Sequence, residues 1–108
     1  MAERTIEWTG KSGKAYKHWI YNLAAASSFT RAPGNYVVAR ETKPDTFAPI
    51  YVGQTADLSE RFDNHHKMPC MEKQGATHVC AHTSDANVSV RLAEEADLVE
   101  KWHPACND

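Results

Sequence analysis

Residues rich in β-branched and aromatic side chains fill two arms, Arg4 to Thr9 and Lys14 to Tyr21, on either side of Gly10-Lys11-Ser12-Gly13. That pattern predicts a β-hairpin. In the second arm Tyr16, His18 and Ile20 share one face and Lys17, Trp19 and Tyr21 the other, so both faces have something to cover. The run AAASSFTRAPG, residues 24–34, then marks a short helix or loop, and Pro33-Gly34 leads into a new element. Asn35 to Arg40 and Pro49 to Gly53 read as two strands joined by the polar loop Glu41 to Ala48, a length that suits an antiparallel pair. Asp57 with Glu60 three residues on has the form of a capping box and opens a helix to about His66. Ala76 to His82 alternates as a third strand. Ser84-Asp85 can cap a last helix that stops before Pro104.

The two longer helices carry the chemistry. In the last one Val88, Leu92, Glu95, Val99 and Trp102 follow steps of four and three, which predicts one apolar stripe with Glu95 in its middle. Glu94 is rotated by about 100° and is expected at the solvated edge of that stripe. A carboxylate on a buried face is expensive unless it is paired, protonated or bound to a metal. In the earlier helix Leu58, Arg61, Phe62 and His65 cover one arc. A guanidinium there can grip a phosphate in a bidentate manner or pair with Glu95. His65 titrates near neutral pH and is a candidate base, whereas His66 is read as surface. Tyr36 and Tyr51 are ordinary strand residues taken singly. Each has a glycine two positions away, Gly34 and Gly53, which either marks a strand end or admits a close backbone approach.

Length and charge narrow the classes. A chain of 108 residues with 42% hydrophobic and 24% charged positions can bury one core, so one domain is expected. No apolar run is long enough for a bilayer and the start MAERTIEW lacks the layout of a secretion signal, which gives a cytoplasmic expectation. Cys70, Cys80 and Cys106 are odd in number and widely spaced, so free thiols are expected rather than a disulfide framework. A formal charge of -2 argues against wrapping nucleic acid by bulk electrostatics, so any nuclease must rely on a local site.

Taken together, the tripeptides Gly34-Asn35-Tyr36 and Tyr51-Val52-Gly53, the string YVGQTADLSERFDNHH and the string EADLVEKWHPACN resemble the GIY-YIG nuclease superfamily, small stand-alone bacterial members above all. The resemblance spans about Pro33 to Asn107. It implies that Tyr36, Tyr51, Arg61, His65 and Glu95 form the catalytic set, that Glu95 holds one divalent ion, Mg²⁺ or Mn²⁺, and that Gly34, Gly53 and the terminal Asn107 support the site. It implies DNA as the partner and endonucleolytic phosphodiester hydrolysis as the activity, with no small-molecule cofactor and no membrane. Which of Tyr36, Tyr51 and His65 acts as base stays open. The departure is Asn35, where the family prefers an apolar residue; strand alternation points it away from Tyr36. The stretch Glu7 to Leu23, with Ser12-Gly13 and Tyr16, shares the resemblance without a role attached.

The expected architecture is one α/β (α+β) domain over residues 1–108, with a core at 33–107 and an N-terminal hairpin extension at 1–32. Its core is a small, mainly antiparallel three-stranded sheet flanked by helices. Two other readings compete: a binding module on the same fold that no longer cuts, and a zinc-stabilised domain built from His65, His66, Cys70, Cys80, His82, His103 and Cys106.

Overall fold

In a computed structural model of the chain, which describes residues 5–22, 31–44, 46–58, 67–84 and 87–107, five strands form one sheet. They are β1 (Thr5–Thr9), β2 (Ala15–Asn22), β3 (Gly34–Lys43), β4 (Thr46–Thr55) and β5 (His78–Thr83), in the spatial order β1-β2-β5-β3-β4. Every neighbouring pair is antiparallel. The expected three-stranded core is thus extended to five strands, because the hairpin adds to the sheet itself: β2 pairs with β5 from Trp19↔Ala81 to Asn22↔His78. An uncovered β5 would expose a row of unpaired backbone groups, and β2 satisfies them. The expected loop Glu41 to Ala48 shortens likewise, since β3 and β4 stay paired out to Lys43↔Thr46. Pro49, which has no N–H to give a ladder, sits in the edge strand β4 beside the register shift at Val38/Ala39.

Strand alternation sorts the core onto two faces. Tyr36, Val38, Ile50, Leu58, Met71, Val79, Ala81 and Cys106 cluster on one. That face carries α1 (Met68–Lys73), a six-residue helix with a proline in its first turn that the sequence pattern did not predict, and a 3-10 turn at Ala105–Asn107. Cys70 and Cys106 join these two elements in a disulfide, which corrects the expectation of three thiols; Cys80 remains a thiol and is buried. Of the helix expected from Asp57 to His66 only Asp57 and Leu58 are described. Arg61 and His65 lie outside the described residues, as do residues 23–30.

Trp8, Tyr16, Val37, Ala39, Val52, Cys80 and Leu98 cluster on the opposite face, beneath α2 (Val88–Trp102). Asn87, not the Ser84-Asp85 pair, caps α2: its side chain accepts from the Ser89 N–H at 2.9 Å. The helix ends as expected before Pro104, with His103 in the left-handed region at φ 45°. Its buried face, however, is not the apolar stripe. Arg91, Glu94 and Leu98 are buried, while Val88, Leu92 and Trp102 are 47%, 46% and 38% exposed. The physical reason is that this part of the sheet offers hydrogen-bonding groups, so the helix presents polar side chains to it.

Two expectations follow from this packing. Burial, opposed by a hydrogen bond to the Tyr16 carbonyl and reinforced by the neighbouring His82, lowers the His18 pKa from 6.5 to about 4. Unfolded His18 gains its proton below pH 6.5 while the folded form does not, so stability present in full above that pH is lost as pH falls toward 4. The group's share is about 3 kcal/mol. Urea unfolding at pH 7, 5.5 and 4 should show a shallower acid loss for His18→Phe than for wild type; parallel losses would remove His18 from the acid response. The second expectation concerns Gly53, which stands opposite Tyr36 in the ladder. A Cβ there would lie 2.5 Å from the Tyr36 Cζ and hydroxyl and 2.8 Å from Tyr51 Cε2. Because both neighbours are rigid rings, Gly53→Ala should cost about 1–3 kcal/mol in urea unfolding and shift the ring resonances of both tyrosines. Unchanged stability would mean that the rings yield freely.

Candidate active site

Tyr36 from β3 and Tyr51 from the edge strand β4 point to the same face of the sheet and meet over Gly53. Their ring centroids are 6.0 Å apart with planes inclined by 38°. Tyr36 is buried and Tyr51 half-buried. Gly53 therefore has a steric role: it leaves the room in which the two hydroxyl ends converge. Gly34 has a related one at the start of β3, where a Cβ would run into the His82 carbonyl oxygen and the Leu58 side chain.

Glu95 joins this pair from α2, which packs along β4. Burial raises the Tyr51 pKa above its ordinary value, the charge of Glu95 raises it further, and a side-chain hydrogen bond with Tyr36 works against both. Glu95 is itself half-buried, and burial lifts its carboxyl above the ordinary range. No cationic side chain among the described residues pairs with it. Three of the five residues singled out in the sequence, Tyr36, Tyr51 and Glu95, are thus brought to one place. Arg61 and His65 fall outside the described residues.

Glu94, expected at a solvated edge, is the more deeply buried of the two glutamates at 9% exposure. It accepts a hydrogen bond from the Ser84 hydroxyl and faces His82 Nε2 at 3.4 Å. Arg91, one turn earlier, donates from Nε to Gln54 Oε1 at 2.9 Å. Asn35 completes the seat. It points away from Tyr36, is fully buried, and donates from Nδ2 to the Arg91 carbonyl at 2.9 Å. A polar residue in the first tripeptide thus ties α2 to β3. Neither Glu94 nor the Asn35 tether was legible in the apolar pattern.

Asn107 braces β4 next to Tyr51. Its Oδ1 accepts from the Val52 N–H at 2.8 Å and its Nδ2 donates to the Val52 carbonyl at 2.8 Å. A second constellation lies at the hairpin tip, where Ser12 and Tyr16 hold Asp97 of α2. The Ser12 N–H donates to Oδ1 at 2.9 Å, the Ser12 hydroxyl to Oδ2 at 2.7 Å and the Tyr16 hydroxyl to Oδ2 at 2.8 Å. The hydrogen bonds from Ser12, then that from Tyr16, hold the Asp97 carboxyl below its ordinary value. Burial first, and then Asp97, raise the Tyr16 phenol.

Among the described residues no three histidine, cysteine or carboxylate side chains gather as a metal cluster. The zinc alternative also loses Cys70 and Cys106 to their disulfide. A single half-buried carboxylate suits a hard cation that completes its shell with water and phosphate oxygens. Glu95 fits that description, and the fit does not require a preformed cage.

No family model matches the chain and no curated protein matches it. Solved structures do. Crystal structures of the GIY-YIG N-terminal endonuclease domain of UvrC from Thermotoga maritima, two tyrosine-to-phenylalanine mutants bound to the catalytic divalent cation, each superpose with a TM-score of 0.61. Identity is 20% and 19%, and the match covers 79% of this chain and 92% of that domain in both cases. The superposition and the five-stranded antiparallel sheet make this chain a member of the GIY-YIG fold.

Proposed function

We propose that the protein is an endonuclease that hydrolyses DNA phosphodiester bonds with the help of one divalent ion, Mg²⁺ or Mn²⁺. The observation that carries this reading is the meeting of Tyr36 and Tyr51 over Gly53, with the half-buried carboxylate of Glu95 near enough for its charge to act on Tyr51. A cation bound there would polarise the scissile phosphate and the attacking water. Glu95 is the residue that would hold it: burial already disfavours its negative charge, so cation binding relieves an existing cost. With its pKa raised, Tyr51 is a phenol at neutral pH and positions the nucleophile or donates to a phosphate oxygen. Proton removal falls more readily to His65, whose ordinary pKa is close to neutral. Arg61 grips the phosphate and stabilises the charge that grows on it.

A DNA substrate points to the cytoplasm. The Cys70–Cys106 disulfide points the other way, because such bonds are rare where thiol reductants prevail. The net charge of -2 keeps a binding module that does not cut as the second reading.

Purified protein with Mg²⁺ or Mn²⁺ should nick or cleave plasmid, flap or junction DNA, and EDTA should abolish the activity. Arg61→Ala should slow cleavage about a hundredfold or more, equivalent to about 3 kcal/mol of barrier. Glu95→Gln should remove both the activity and the rise in melting temperature that Mn²⁺ produces, while Glu100→Gln on the exposed side of α2 retains both. Glu94→Gln is not a neutral control, because Ser84 and His82 both rely on that carboxylate. Folded protein that binds DNA but leaves every substrate intact would establish the binding module instead.

A further inference from the structure

The part of the chain that the nuclease reading leaves without work is the hairpin tip, Gly10 to Tyr16. Its β2 strand reaches β5 only from Trp19 onward, so the tip projects beyond the central sheet and is held by α2. The contact is concentrated on one residue. Besides the three hydrogen bonds to its carboxylate, the Asp97 carbonyl accepts from the Lys11 N–H at 3.1 Å. A Cβ on Gly10 would overlap the Asp97 carboxylate, so glycine is required there to let the turn close on it. Gly13, at φ 91°, supplies the left-handed residue of the same turn. Further along the helix Trp102 donates from Nε1 to the Thr9 carbonyl at 3.0 Å and stands edge-on to Trp8 at 5.3 Å between centroids.

Two mounts therefore hold α2. The first turns are fixed by Asn35, Gln54, Ser84 and His82 acting on Arg91 and Glu94. From Asp97 onward the hairpin takes over. Glu95 lies between the mounts, two residues and about 200° of helix rotation from Asp97, so it faces away from the clamp toward β4. Without the Asp97 clamp, Leu98 and Trp102 still keep the helix on the sheet, but the hydrogen bonds that fix its rotation just past Glu95 are gone, and the direction of the Glu95 side chain follows that rotation. Displacements of about 1 Å at a reacting centre are enough to cost about a hundredfold in rate.

We propose that Asp97, clamped by Ser12 and Tyr16, is a positioning residue that sets where the Glu95 carboxylate stands beside Tyr51. The inference rests on the reading of Glu95 as the metal-holding carboxylate. In this arrangement the N-terminal hairpin is the outer arm of the active-site helix, and Asp97 itself touches neither metal nor DNA.

Tyr16→Phe removes one hydrogen bond and preserves the ring; Asp97→Asn removes the charge and one acceptor. Both should raise the Mn²⁺ dissociation constant, about threefold for the first and about tenfold or more for the second, and lower kcat for DNA with KM unchanged. A clamp that only stabilises the fold would lower the melting temperature and leave Mn²⁺ affinity and kcat of the folded protein at wild-type values, which overturns the proposal. A third measurement needs neither metal nor cleavage. In protein labelled with 3-fluorotyrosine, Glu95→Gln defines the Tyr51 fluorine resonance without the neighbouring charge, and Asp97→Asn should move the wild-type resonance toward that position. An unmoved resonance overturns the clamp. A moved resonance in a protein that binds no Mn²⁺ and cuts no DNA supports the clamp and overturns the nuclease reading alone.

Discussion

The first turns of helix α2 sit on the sheet through polar side chains, and the rest of the site depends on that seat. A buried apolar face can slide or rotate with modest loss, because its attraction is not directional. A buried polar face cannot, since each group left without a partner costs about 1–3 kcal/mol. Arg91 with Gln54, Glu94 with Ser84 and His82, and Asn35 Nδ2 with the Arg91 carbonyl are directional contacts that a shift of the helix would break. With Arg91 and Glu94 held inward, Glu95 is turned toward β4, where its charge acts on Tyr51.

The same fact explains what the sequence showed and what it hid. Residue type and turn signals located β1, β2, β3 and β4 and alternation located β5, and parity placed Asn35 opposite Tyr36, because strand faces follow parity whatever the side chains are. Tyr36 and Tyr51 meet because each is fixed to a ladder position on neighbouring strands. The rotation of α2 was misjudged for a physical reason: the stripe through Val88, Leu92 and Glu95 assumes that apolar residues face inward, and here the sheet selects polar ones.

The remaining gaps are matters of range. Asp97 lies 85 residues from Ser12 and 81 from Tyr16, and no local pattern pairs a serine in a turn with a carboxylate so distant. Cys70 and Cys106 are 36 residues apart with nothing between them that resembles a disulfide framework. Helix α1 has six residues, less than two turns, so it offers no periodicity to read. Glycine at position 10 was legible as a turn residue, but its steric purpose needed the Asp97 carboxylate in view.

Strand β4 presents a further constraint, since it carries Tyr51 on the edge of the sheet, where a strand has no neighbour to hold its outer backbone groups. Asn107 supplies that neighbour in miniature. Its side-chain amide bonds both the N–H and the carbonyl of Val52, as an adjacent strand would. The residue before it, Cys106, is tied through the disulfide to Cys70 on α1, which carries Met71 into the core beneath Tyr36. The edge tyrosine is thereby held from both directions, by the ladder with β3 on the inner side and by the anchored 3-10 turn on the outer. A phenol so restrained has little freedom to follow a displaced partner. Alignment at the site therefore falls to the helix that brings the carboxylate, which is the element with two separate mounts.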